Sequence, residues 1–229
     1  MPIIFDGYNY ASSGILPIAA KHDFTLMCWA YLDTTSEMGN FFCIGREDGT
    51  TNNGYQFGVG TSNLSTLGNN LIASFNGVGA IDGKYLIGTG WHHCAFTNKD
   101  EDANRDSIFY IDGIEHVFGN SGTAIAPTLG WAAGARLTTA TNAVDNKLTA
   151  GNKVAQIKIF DRRLVQGEVI TEMNSFRPVF VENLKAWIPM DEGTGTSLAD
   201  YQSHTYKDYL NMTSGTALIW ISGPPISHD

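Results

Sequence analysis

Three runs of acidic residues are the first place to look for chemistry: Glu47-Asp48, Asp100-Glu101-Asp102 and Asp191-Glu192. Splitting a glycosidic bond with retention takes two carboxylates flanking it, about 5–5.5 Å apart. A strand delivers such a pair when acids alternate, because alternate side chains share a face. Here the acids are adjacent and lie in loop-like surroundings, so extended neighbours point apart. No catalytic residue is assigned, and a non-enzymatic role is expected. His92-His93 is the next candidate. Consecutive strand residues face opposite ways, so the two rings do not readily share one metal ion. The expectation is structural, with one ring turned inward or toward backbone and the other toward solvent. No metal ligand is assigned.

Sugar recognition needs no reacting pair. It uses an aromatic face, with amides and carboxylates for the hydroxyl groups. Asn53 and Tyr55 in Asn52-Asn53-Gly54-Tyr55, then Trp131, and Asn142 and Asp145 supply those types. These five residues form the candidate binding set. The competing reading is that Asn and Gly are turn formers and that Trp131 belongs to a core. Asn63-Leu64-Ser65 and Asn211-Met212-Thr213 match the glycosylation pattern and are read as chance matches.

Charge narrows the field. The chain has 229 residues with 14 Lys and Arg against 23 Asp and Glu, for a net charge of −9. A nucleic-acid groove needs clustered cations, and the longest basic run is Arg162-Arg163. No nucleic-acid partner is expected. No run approaches the ~20 apolar residues of a membrane-spanning helix, so membrane insertion is not expected. The opening Met1-Pro2-Ile3-Ile4-Phe5-Asp6-Gly7 lacks the basic-then-apolar order of a signal peptide. Synthesis in the cytoplasm is the corresponding expectation. Cys28, Cys43 and Cys94 lie in apolar runs without close spacing and read as buried small apolar residues.

The elements that must position these groups are short apolar runs between Gly, Asn, Asp and Thr clusters, the signature of an all-β sandwich. Strands are predicted at Ile3–Phe5, Phe24–Tyr31, Asn40–Gly45, Gly54–Gly60, Leu71–Phe75 and Lys84–Ile87. More are predicted at Trp91–Thr97, Ile108–Ile111, Gly130–Leu137 and Val154–Phe160. In Phe24–Tyr31 both alternating sets are apolar, as in a strand covered on both faces. In the last strand Val154, Gln156 and Lys158 are expected to oppose Ala155, Ile157 and Ile159. One helix fits, with Leu164, Val169, Ile170 and Met173 on a face and Pro178 barring continuation. Leu137 to Lys153 reads as a polar surface excursion.

Several of these segments together resemble a known family. They are Phe5-Asp6-Gly7, Phe24-Thr25-Leu26-Met27-Cys28-Trp29, the Trp91-His92-His93 to Tyr110-Ile111-Asp112-Gly113 hairpin, Ala133-Gly134-Ala135-Arg136, and Ile157-Lys158-Ile159-Phe160-Asp161-Arg162-Arg163-Leu164. In that order they resemble LamG-like jelly rolls of the concanavalin A-like lectin/glucanase superfold. The resemblance implies an antiparallel jelly-roll β-sandwich with one short helix. That superfold hosts lectins, glycosidases and scaffolds, so function stays open. Some relatives hold Ca2+, and Asp6, Asp191 and Asp200 match acid-rich positions. The glycines of the family pattern are missing beyond Asp200, so no ligand is assigned, and no other cofactor is expected.

Leu184-Lys185-Ala186-Trp187-Ile188 through Gly195-Thr196 resembles the family's opening strand, yet here it comes after the helix. We therefore expect a sandwich over residues 1–177. Residues 178–229 fold back onto it or onto a neighbouring subunit, as one domain overall. The resemblance extends to proteins displayed on tailed-phage particles. The leading expectation is thus a binding or structural module on a virion surface, as capsid decoration or attachment component. The expected partners are copies of itself, capsid or tail proteins, and surface glycans. A free carbohydrate-binding lectin is the alternative, and a glycoside hydrolase the third reading.

Overall fold

The computed structural model describes residues 3–4, 11–15, 23–45, 54–60, 68–75, 79–98, 107–117, 136–139, 148–191, 197–199, 201, 209–212, 219–220, 224 and 226. In chain order the strands begin with β1 (Ile3–Ile4), β2 (Ala11–Ile15), β3 (Phe24–Leu32), β4 (Gly39–Gly45), β5 (Gly54–Gly60) and β6 (Asn70–Phe75). Next come β7 (Gly79–Leu86), β8 (Gly90–Asn98), β9 (Ile108–Ile111), β10 (Ile114–Val117), β11 (Arg136–Thr139) and β12 (Lys153–Phe160). Helix α1 (Gln166–Met173) is next, then β13 (Leu184–Ile188), β14 (Ser197–Ala199), β15 (Tyr209–Met212) and β16 (Ile219–Trp220). They form two eight-stranded sheets. The first runs β10-β9-β8-β3-β12-β1-β16, with β13 also on β12. The second runs β14-β15-β2-β11-β4-β5-β6-β7. The protein is an all-β antiparallel jelly-roll sandwich carrying a helix.

Strand β3 shows why its alternation is blurred. Phe24, Leu26, Cys28, Ala30 and Leu32 face the main core, with Phe41, Phe57, Phe96 and Phe109 among their neighbours. Met27 lies in a second apolar cluster with Tyr110, Phe160, Leu164 and Val169. The strand is covered on both sides because α1 lies over the outer face of its sheet. Cys28 and Cys94 are register partners, buried and unoxidised.

Strand β12 departs from the expected alternation. Its pairing with β3 slips between Ala155 and Lys158, and Gln156 takes φ +54. A bulge of this kind adds one residue and resets the parity of the rest of the strand. Val154 therefore joins Ile157 and Ile159 in the main core instead of opposing them. The stretch from Leu137 to Lys153 is also corrected at its ends. Leu137 belongs to β11, Leu148 is in the core, and Asn152 is buried.

The corner into α1 is held by Thr25. Its hydroxyl donates to Arg162 O (2.8 Å) and accepts from Leu164 N (2.9 Å). Glu168 accepts the Val165 amide at 3.0 Å and both guanidinium arms of Arg162 at 2.9 and 3.0 Å. An acid in the first helical turn also suits the helix dipole. Beneath the helix lies a buried ion pair. Lys158 Nζ donates to Glu172 Oε2 (2.6 Å), Glu172 O (2.9 Å) and Ser175 O (2.8 Å). The other carboxylate oxygen, Oε1, accepts Val179 N (2.8 Å) and Phe180 N (2.7 Å). This one carboxylate ties together the sheet, the helix and the chain beyond it.

The chain beyond the helix adds strands to both sheets. β13 pairs with β12, with Lys158 opposite Trp187. Trp187 packs on Phe176 and on Tyr201, with ring centroids 6.1 and 5.4 Å away. β15 pairs with β2 and β14, and β16 pairs with β1.

Candidate functional site

The sequence-derived binding set is not brought together among the described residues. Asn53, Trp131, Asn142 and Asp145 lie outside them. Tyr55 is in β5, in register with Ile44 and Phe75. Of the acids weighed for calcium, Asp6 and Asp200 lie outside the described residues and Asp191 is exposed. Among the described residues no group of three His, Cys, Asp or Glu side chains is placed to hold a metal ion.

The structure assembles a different set on the outer face of the first sheet. Directly paired residues in antiparallel strands share a face. Tyr31 of β3 pairs with Trp91 of β8 and Lys153 of β12. The Tyr31 and Trp91 rings meet edge-on, centroids 5.7 Å apart at 66°. Lys153 Nζ stands 3.6 Å from the centre of the Tyr31 ring, a cation–π contact. All three side chains are half-buried. One rung further along, Trp29 meets His93 at 5.5 Å, also at 66°. Trp29 and His93 are buried. Burial, then the charge of Lys158, pushes His93 down to about 3, so its ring is neutral at physiological pH.

The loops at this end carry polar side chains. Glu37 is 3% exposed. Its Oε1 accepts Thr34 N (2.9 Å), and its Oε2 accepts Asn152 Nδ2 (2.9 Å) and the Thr149 hydroxyl. Burial alone would raise its pKa, but hydrogen bonds from Thr149, Asn152 and Thr34 outweigh it and hold the carboxyl below its ordinary value. Asn69 Oδ1 accepts Glu37 N (2.8 Å), while Nδ2 donates to Thr34 O (2.8 Å) and Ile87 O (3.1 Å). Thr34, Glu37, Asn69, Ile87, Thr149 and Asn152, far apart in the chain, are thereby tied together. The exposed Asp33 is held by Asn152 Oδ1, which accepts its amide at 2.9 Å.

The two neighbouring histidines part as strand parity requires. His92 Nδ1 meets Asp112 Oδ2 at 2.7 Å, and Asp112 Oδ1 accepts His93 N at 2.8 Å. The hydrogen bond to Asp112 raises His92 against the opposing effect of burial. Burial works against the Asp112 charge, yet the bonds from His92 and the His93 amide keep that carboxyl low. Asp112 and Gly113 carry φ of +52 and +77, the paired positive values of a tight β9–β10 hairpin.

A sandwich of this topology, with a helix on its outer face, matches a family model over residues 5–170. The chain belongs to the concanavalin A-like lectin/glucanases superfamily. Among solved structures, this superfamily member resembles a Bacteroides ovatus protein described as a candidate carbohydrate binder. The two have 14% identity and a TM-score of 0.65, over 100% of this chain and 61% of that one. It thus spans less than two thirds of that protein's length. A heptameric SAP-like pentraxin from Limulus polyphemus aligns at 15% identity and TM-score 0.55, over 78% of this chain and 83% of that one. The CBM40 module of a Ruminococcus gnavus sialidase, solved with α2,3-sialyllactose, aligns at 8% identity and TM-score 0.50, over 74% and 95%. At these identities the likeness shows the fold. No curated protein matches the sequence.

Tyr31, Trp91 and Lys153 escape sequence reasoning as a set because they are far apart in the chain. The usable signal is the second apolar parity of β3, Met27-Trp29-Tyr31. Only part of that row is covered by the helix.

Proposed function

We propose that this chain is a non-catalytic carbohydrate-binding module whose binding surface includes Tyr31 and Trp91. The observation that carries the reading is the half-buried aromatic pair with a lysine ammonium on it, at the end of the sheet where Glu37 gathers a hydrogen-bonded polar network. Aromatic rings offer large contact area at low entropic cost, and side chains already held in place lower the cost of ordering on binding. The carbohydrate binders among proteins of this fold add support by analogy. For the non-catalytic part, Glu37, Asp112, Glu168 and Glu172 each hold structural hydrogen bonds. A glycan array of wild type and Trp91→Ala tests the reading. Binding by wild type that the variant loses is expected, and equal binding by both would overturn it.

The setting we propose is a virion surface, where repeated copies would let weak single sites act together, by roughly 10²–10⁴-fold in avidity. This part rests on the resemblance to phage-displayed relatives. Light scattering over a concentration series and antibody labelling of particles test it. A strictly monomeric protein that labels no particle would remove it.

A further inference from the structure

We propose that the face formed by Tyr31, Trp91 and Lys153 reads the carboxylate of an acidic sugar within a glycan. This rests on the carbohydrate-binding reading above and names the ligand class for that same site.

The cation comes first. Lys158, Arg162 and Lys185 each meet a carboxylate. Lys153 meets none among the described residues and instead rests on the Tyr31 ring. A ring face attracts an ammonium without occupying its N–H donors as a carboxylate does. The charge is thus held in place with hydrogen-bonding capacity to spare. The lysine also covers the Tyr31 face, which leaves Trp91 as the stacking surface for a sugar ring. A sugar on Trp91 would carry its substituents beside that ammonium.

The second observation lies one rung deeper. His93 is 2% exposed. His93 Nδ1 is buried without a hydrogen-bond partner among the described residues. Buried polar groups are nearly always paired, and His93 carries this orphan nitrogen edge-on to Trp29, on the same sheet face as Tyr31 and Trp91. The lysine ammonium is a donor only. A donor-only cation suits an acceptor-only carboxylate better than hydroxyl groups, which both give and accept. Charge-assisted hydrogen bonds of this kind are about twice as strong as neutral ones.

The test is an array of neutral, carboxylated and sulfated glycans, then titration of the brightest ligand and its neutral counterpart. Wild type, Lys153→Gln and Lys153→Arg are compared, with thermal melts to check folding. We expect the strongest signal on carboxylated glycans. We also expect Lys153→Gln to lose about tenfold on the acidic ligand alone and Lys153→Arg to retain binding. Neutral or sulfated glycans bound at least as tightly, or a Lys153→Gln variant indistinguishable from wild type, would overturn the inference and leave the carbohydrate reading standing. Binding to no glycan would instead overturn the carbohydrate reading itself.

Discussion

Replacing Lys158 with methionine removes the ammonium that faces Glu172 while keeping an unbranched chain of similar length. The two side chains are 2% and 0% exposed, so the remaining carboxylate cannot turn to water. It keeps the amides of Val179 and Phe180 on Oε1 but loses the ammonium from Oε2, and the carbonyls of Glu172 and Ser175 lose a donor. Stranding one member of a buried pair costs about 3–5 kcal/mol. Such a loss lowers the melting temperature by roughly 6–20 °C for a domain of this size. The ammonium itself is under opposing pulls: burial draws Lys158 below the usual lysine range, and Glu172 acts the other way. Lys158→Met combined with Glu172→Gln should therefore be less destabilised than the two single losses added, since the uncompensated charge is gone. Urea unfolding at neutral pH, monitored by tryptophan fluorescence, gives all four corners of the cycle. A Lys158→Met protein within about 0.5 kcal/mol of wild type, the range of ordinary surface changes, would refute the reasoning.

Other expectations are equally direct. His93 resists protonation until about pH 3, whereas the unfolded ring takes a proton near 6.5. Between those values the unfolded chain binds more protons, so stability falls with falling pH by about 1.4 kcal/mol per unit. His93→Gln should flatten that slope in urea melts, and an unchanged slope would contradict the assignment. His92 is raised by Asp112, so Asp112→Asn should lower the His92 titration midpoint in an NMR series. A midpoint that stays put would remove the pair's role. A Cβ on Gly58 would lie 2.0 Å from Gly39 O and 2.8 Å from Asn40 Cα, backbone contacts that cannot yield, so Gly58→Ala should be insoluble. Gly167 has open space around it in α1, so Gly167→Ala should stabilise by about 0.5–1 kcal/mol. Reversed signs at these two glycines would contradict the backbone described.

The sandwich was legible because apolar runs and turn residues recur at strand spacing, and α1 because its apolar residues fit a helical period that Pro178 cannot prolong. Of the face expected, Val169 is buried, Leu164 lies just before the helix and Ile170 is exposed. The two-sided character of Phe24–Tyr31 was visible too, since both of its parities are apolar. The β12 bulge was not. Positive φ at Gln156 reflects how β3 and β13 meet β12, and nothing in Val154–Phe160 itself encodes it. Lys158 was grouped by alternation with Val154 and Gln156, and nothing in the sequence pointed to Glu172 as its partner. Their pairing depends on where the helix comes to lie. The binding set reached for loop amides and aromatics, whose types are informative but whose spacing carries no geometry. Tyr31, Trp91 and Lys153 come from three strands and become neighbours only through register.

The central claim is that glycans are bound on the sheet face around Trp91. It is tested most directly by a crystal structure of the chain soaked with its best array ligand. The account predicts a sugar ring stacked on Trp91 with a polar substituent within hydrogen-bond distance of Lys153 Nζ. A sugar bound on the second sheet or on its loops, with the Tyr31–Trp91 face empty, would contradict it.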